Sequence, residues 1–184
     1  MRNMLKCSFA LLLLGLIAAC AASGDMVKLT YALGPAPMGC RGKAVVYKFT
    51  DDRPSTRLGR NNSGLSVESL SNVSDWVGWA LFDELKSAGC DVKYRTSTLP
   101  EDDTPVITGE VLALDLNQTG TTTWKGNVAV RIKVKRDGKV VRSEKFASEV
   151  EDVVLPGYGT KSEILAEALR GLMSEAVPSV CNQL

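Results

Sequence analysis

The chain has 184 residues, with 22 Lys+Arg against 21 Asp+Glu and a formal net charge of +1, which leaves no basic footprint for nucleic acid. It contains no histidine, which excludes Ser-His-Asp and Cys-His catalysis and His-based metal sites. Carboxylate or lysine chemistry remains open in principle, but no spaced pair argues for it, and no catalytic residue, metal site or enzymatic activity is expected. At this length, with 45% hydrophobic residues, the chain can bury a real core as one domain.

In chain order, Arg2 and Lys6 form a short positive start, and the apolar run Phe9 to Ile17 follows. That run is shorter than the roughly 20 apolar residues of a membrane-spanning helix and reads as a secretory signal. It ends Leu16-Ile17-Ala18-Ala19-Cys20, which resembles the lipobox of bacterial lipoproteins. The resemblance implies a signal peptide over 1–19, cleavage before Cys20 and covalent lipid on that cysteine, with no other cofactor. The alternative is a plain signal with an incidental cysteine. Two acyl chains anchor stably, since each buried methylene contributes about 0.8 kcal/mol and one chain alone is marginal. Ala21-Ala22-Ser23 follows Cys20. In such lipoproteins an aspartate directly after the cysteine commonly retains the protein in the inner membrane, so its absence favours the periplasmic face of the outer membrane. Cleavage also removes Arg2, Lys6 and Cys7, leaving a mature body near neutral.

Residues 20–39 read as a lipidated tether carrying a short edge strand, Val27 to Leu33, and residues 40–184 as one domain. Lys43 to Phe49 is a strand rich in β-branched and aromatic residues. A polar loop runs from Thr50 to Ser66. Val67, Leu70, Val73, Val77, Leu81 and Leu85 recur three or four apart and predict a helix over 67–88, stopped by Gly89; Ser74 could instead cap a shorter one. Asp91 to Arg95, Val106 to Asn117 and Trp124 to Arg136 are strands. The last of these sets Val128, Val130, Ile132 and Val134 on one face and Arg131, Lys133 and Lys135 on the other. Asp137-Gly138 is a hairpin turn signal, and Val140 to Glu151 is the returning strand. Ser162 to Val177 is an amphipathic helix ended by Pro178. The order β-α-β-β-β-β-α predicts an α+β fold: a two-layer sandwich, with a mostly antiparallel sheet of about 4–6 strands covered on one face by two helices.

Cys40, Cys90 and Cys181 remain in the mature chain, and the oxidising periplasm permits a disulfide with one thiol left over. The strand-helix-strand unit around residues 43–95 makes its two strands parallel. Cys40 and Cys90 therefore fall at the same end and are the candidate pair. Counting a reversal at every later strand carries Cys181 to the opposite end.

Asp51-Asp52-Arg53-Pro54, after the first strand, could meet a cation or polar ligand, or simply shape the loop through an Asx turn and internal salt bridges. Trp76 reads as core. Trp79, with Phe82, is either core or part of an exposed aromatic patch. The candidate ligand or partner contacts are thus Asp51, Asp52, Arg53 and Trp79.

The body resembles the uncharacterised YajG-type envelope lipoproteins. The carrying residues are the first strand running into Asp51-Asp-Arg-Pro54, Leu58-Gly59, Val73-Ser-Asp-Trp-Val77, Leu81-Phe-Asp-Glu-Leu85 with Gly89, and the strand bearing Gly109, over most of residues 40–178. More weakly, Tyr31-Ala-Leu33 is similar to the early Tyr-x-Leu element of lipoprotein subunits that accompany lipid-transport ABC systems. These resemblances imply a non-enzymatic envelope role: an accessory or binding module docking onto an envelope complex, an auxiliary subunit of such a transport system, or a purely structural lipoprotein.

Overall fold

A computed structural model describes residues 24–35, 39–97, 103–157 and 159–184. The signal segment and Cys20 lie outside the described residues. Five strands form the main ladder: β2 (Lys43–Tyr47), β6 (Asp91–Arg95), β7 (Val106–Gln118), β8 (Thr123–Arg136) and β9 (Lys139–Val153), in the order β6-β2-β7-β8-β9. The short β3 (Thr50–Asp51) continues the line of β2 and also pairs with β7. Helices α1 (Val73–Ser87) and α2 (Lys161–Cys181) cover one face of this sheet, α1 over β2, β6 and β7 and α2 over β8 and β9. The protein is therefore a two-layer α+β sandwich. A second, small sheet, β1-β5-β4, is built from β1 (Asp25–Val27), β4 (Gly59–Arg60) and β5 (Ser66–Ser69).

The long hairpin carries the core. Val128, Val130, Ile132 and Val134 of β8 are all buried beneath the helices, as strict alternation demands. Asp137 and Gly138 turn the chain with φ of 51° and 72°, the left-handed pair of a primed turn. On the solvent face, Glu110 of β7 stands opposite Arg131 and accepts from its Nη1 at 2.8 Å, while Lys133 Nζ pairs with the other carboxylate oxygen. Hydrogen bonds from Lys133 and then Arg131 hold the Glu110 carboxyl below the ordinary carboxylate range. A depressed folded value gives stability that is present above the unfolded value, about 4.3, and lost as pH falls through the folded one. Glu110→Gln should cost about 1 kcal/mol at neutral pH. The two proteins should converge in strongly acid solution, as urea unfolding at both conditions would show.

Several elements differ from the sequence expectation. The helix expected over 67–88 begins only at Val73: Asn72, not Ser74, is the cap, its side chain accepting from Asp75 N at 3.0 Å. Val67 is buried, but in β5, which pairs parallel with β1 and antiparallel with β4; Leu70, between strand and cap, is 62% exposed. A three-to-four spacing thus ran across a strand, a turn and a helix. The polar stretch up to Ser66 is no plain loop, for Leu58 is fully buried, its carbonyl accepting from Leu116 N and its own N–H donating to Val67 O. The edge strand expected over 27–33 is Asp25–Val27 instead; Val27 and Leu29 are buried in the body of the fold. Helix α2 runs three residues past Pro178. The proline forfeits one backbone bond, but Asn182 N still donates to Pro178 O, and buried Val177 and Val180 hold the last turn on the core.

The largest correction concerns direction. β2 is parallel both to β6 and to β7, so β6 and β7 run in the same direction on either side of it. From β7 onward the expected count of reversals is one too many. β9 therefore runs the same way as β2, and α2 starts at the far end and returns to where β2 and β6 begin. There Cys40 and Cys90 are bonded, their Cα atoms 4.9 Å apart. Cys181, expected at the opposite end, lies with its Sγ 3.7 Å from Cys90 Sγ.

Candidate functional site

The parallel β2-α1-β6 unit sets α1 against the β6 edge of the sheet. Its inner stripe, Val73, Trp76, Val77, Ala80, Leu81, Glu84 and Leu85, is buried, and Trp76 Nε1 donates to Thr30 O at 3.1 Å. One helical step outward, Trp79 is 47% exposed. Its ring stacks on Tyr94 of β6 with centroids 4.1 Å apart and planes 19° from parallel. Phe82 meets Trp79 edge-on at 5.4 Å and Tyr94 at 6.0 Å. Gly78 permits this, because a Cβ there would lie 2.9 Å from the Tyr94 hydroxyl oxygen. That hydroxyl is buried and has no hydrogen-bond partner among the described residues. Burial, and then the charge of Asp75, pushes its ionisation above the usual phenol value.

The other wall is the segment 29–34. Leu29 is buried and Leu33 half exposed. The segment is pinned by Glu84, whose Oε1 accepts from Tyr31 Oη at 2.6 Å and from Gly34 N at 2.9 Å. Burial, then the Glu84 hydrogen bond, drives the Tyr31 phenol far above its ordinary value. Between the walls lies an open groove of about 340 Å³, lined by Leu29, Tyr31, Leu33, Trp76 and Trp79, with Asp75 and Asp83 on its margin. The groove thus sets Trp79, stacked on Tyr94, beside two carboxylates, of which Asp75 lies 4.0 Å from Lys48 Nζ.

The four candidate contacts fall into two separate sets. Arg53 donates from Nε and Nη2 to the two Asp51 carboxylate oxygens, both at 2.8 Å, a bidentate bond that holds the Asp51 carboxyl below the ordinary range. Asp52 is exposed, and its N–H donates to Val111 O. These contacts tie the tripeptide to itself and to β7. Arg53 Nη1 is buried without a partner among the described residues. Trp79 belongs to the aromatic platform. Tyr94 and Glu84 were not singled out from sequence. A glutamate falling on the apolar stripe, three after Leu81, was the available signal for Glu84; nothing local pointed to Tyr94.

The fold defines a class: an α+β sandwich domain, here with an open groove on the outer side of its first helix. No family model matches the chain, and no curated protein matches it. Its fold is similar to that of a Xanthomonas campestris protein of the DUF330 family, at 14% identity over 85% of this chain and 92% of that one, with a TM-score of 0.54. A second solved structure, of an uncharacterized protein, matches at 13% identity over 86% and 99%, TM-score 0.55. A minor lipoprotein from Acinetobacter baumannii aligns at 9% identity over 80% and 95%, TM-score 0.47. At these identities the first two establish a shared fold.

Proposed function

We propose that the chain is a lipid-anchored lipoprotein of the bacterial envelope whose domain is a non-enzymatic accessory or binding module. The lipobox at Cys20 supplies the anchor, and the domain faces the periplasm from the outer membrane. In this reading the lipid is the attachment; no described helix is long and apolar enough to cross a membrane. The absence of any histidine fits a role without acid-base chemistry. The observation that carries the reading is Trp79, half exposed and held flat on Tyr94 beside the groove. An apolar ring kept at the surface by stacking is organised for a partner in advance, which lowers the cost of ordering it on binding. The partner is a segment of an envelope protein complex, apolar with basic flanks.

One observation favours the transport-subunit version of this role. The Tyr31-Ala-Leu33 element, which resembles that of lipoproteins accompanying lipid-transport ABC systems, forms one wall of the same groove.

A single comparison tests both halves of the proposal. Wild type, Cys20→Ala and Trp79→Ala are fractionated and recovered from membranes. Wild type should sediment with the outer membrane and bring down one envelope complex in stoichiometric amount. Cys20→Ala should be soluble or remain as uncleaved precursor. Trp79→Ala should stay anchored and lose the complex at least about tenfold, a 1.4 kcal/mol change in affinity. Recovery of ABC transporter subunits would select the transport version. Undiminished recovery by Trp79→Ala would refute the groove, and a mature, membrane-bound Cys20→Ala would refute the anchor.

A further inference from the structure

At the end of the sheet where β2 and β6 begin, three chain segments converge. Cys40 N donates to Ala88 O at 3.1 Å, which lays the segment before β2 against the end of α1. Cys90 follows Gly89 and leads into β6. The last turn of α2 brings Cys181 down from above. The C-terminal residues lie so close on the segment before β2 that a Cβ at Gly42 would be 2.2 Å from Leu184 Cβ, and Arg136 Nη2 donates to Gln183 O at 2.9 Å. The three sulfurs all lie within 4.8 Å of one another, two of them in the disulfide and the third, the Cys181 thiol, 3.7 Å from Cys90 Sγ. An open cleft lined by Cys40, Arg41, Gly42, Pro178, Cys181 and Leu184 gives solvent access to the cluster.

From this convergence we propose that the three cysteines form an internal thiol–disulfide exchange site. The Cys181 thiolate attacks Cys90 Sγ, a Cys90–Cys181 bond forms and the Cys40–Cys90 bond breaks. The electron pair leaves on Cys40 Sγ, which takes up the proton given up by Cys181. One thiol and one disulfide are present before and after, so no external oxidant or reductant is consumed. Exchange of this kind needs a thiolate at a disulfide sulfur and in line with the bond that breaks; the fold supplies the proximity, and because all three sulfurs lie within 4.8 Å the Cys181 side chain must rotate to come into line. Burial pushes the Cys181 thiol above its ordinary value, so the thiolate is scarce and exchange is slow beside the motions of the fold. The domain then exists as two disulfide isomers. In one, the segment before β2 is clamped to the end of α1; in the other, α2 is clamped there and Cys40 carries the free thiol.

The test uses the mature, oxidised wild-type protein in detergent. It is treated with iodoacetamide under native conditions, quenched in acid at intervals, digested with pepsin and mapped without reduction. The expected result is label on Cys40 as well as Cys181. A Cys90–Cys181 linked peptide should grow as the Cys40–Cys90 one declines, at a rate independent of protein concentration. Exhaustive labelling confined to Cys181 with the Cys40–Cys90 peptide intact would overturn the proposal, as would exchange whose rate rises with protein concentration. Cys40→Ser gives a second reading. Oxidised glutathione should convert its folded form to the Cys90–Cys181 disulfide, and a folded variant whose two thiols both stay alkylatable would count against it. The wild-type measurement stands even if that variant does not fold.

Discussion

Val130→Asp is expected to abolish the cooperative unfolding transition of the domain, whereas Lys133→Asp, three residues along the same strand, should leave it in place. Val130 is fully buried at the centre of β8, paired with Val111 on one side and Phe146 on the other. A carboxyl there would give up the valine's burial, about 1.5–3 kcal/mol. It would also find no partner in the apolar layer, which even for the neutral acid costs about 2–7 kcal/mol. Together these rival the roughly 5–15 kcal/mol that holds a domain folded. Lys133 is on the opposite face, and its replacement meets water. The effect is still not zero, because Lys133 pairs with Glu110 and an aspartate would stand beside that carboxylate with Arg131 as the remaining cation. A loss of about 1 kcal/mol is expected. Circular dichroism during thermal and urea unfolding compares the two directly. Equal losses would mean that the faces of β8, or the strand itself, have been assigned wrongly.

Glu84→Ala should cost about 3 kcal/mol, since it leaves two donors without an acceptor at about 1–3 kcal/mol each. Glu84 is 3% exposed, and its Oε1 receives both the Tyr31 hydroxyl and the Gly34 amide. Tyr31→Phe removes one donor together with its need and should cost less, about 1–2 kcal/mol. Glu84→Gln keeps an acceptor oxygen and should fall between wild type and alanine. The local consequence is more specific than the global one. Without Glu84 the segment 29–34 loses its fixed point on α1, so amide exchange at Gly34 and protease cutting near Leu33 should rise before the melting temperature falls far. The double variant carrying both Glu84→Ala and Tyr31→Phe should cost less than the sum of the singles, because they share one bond. Strict additivity would mean that the Tyr31–Glu84 bond contributes nothing. Because the same segment walls the groove beside Trp79, Glu84→Ala should also weaken recovery of the partner under the proposed function.

Which elements were legible in the sequence follows from where their information lies. The alternation from Val128 to Val134, the Asp137-Gly138 turn and the apolar side of α2 are local patterns. A strand or helix repeats its side-chain direction every two or every three to four residues, so these patterns name both the element and its inward face. The strand-helix-strand unit from Lys43 to Arg95 is legible for the same reason, and with it the shared end of Cys40 and Cys90. The run Leu16 to Cys20 resembles a lipobox, and that resemblance too is carried by contiguous residues. Tertiary structure decided the rest. Val67 and Leu70 match a helical stripe, yet β1 offers Val67 a strand partner some forty residues away, and Asn72 supplies the cap that lets the helix start late. β7 lies beside β2 rather than beside β6, a strand order that no local periodicity states. That one placement reverses the expected direction of α2 and brings Cys181 to Cys90. Trp79 could be core or patch until Tyr94 came alongside it, and the acceptor role of Glu84 exists only once Tyr31 and Gly34 fold onto α1. Periodicity is a property of neighbouring residues, whereas strand order and side-chain partnership are set by contacts between segments far apart in the chain.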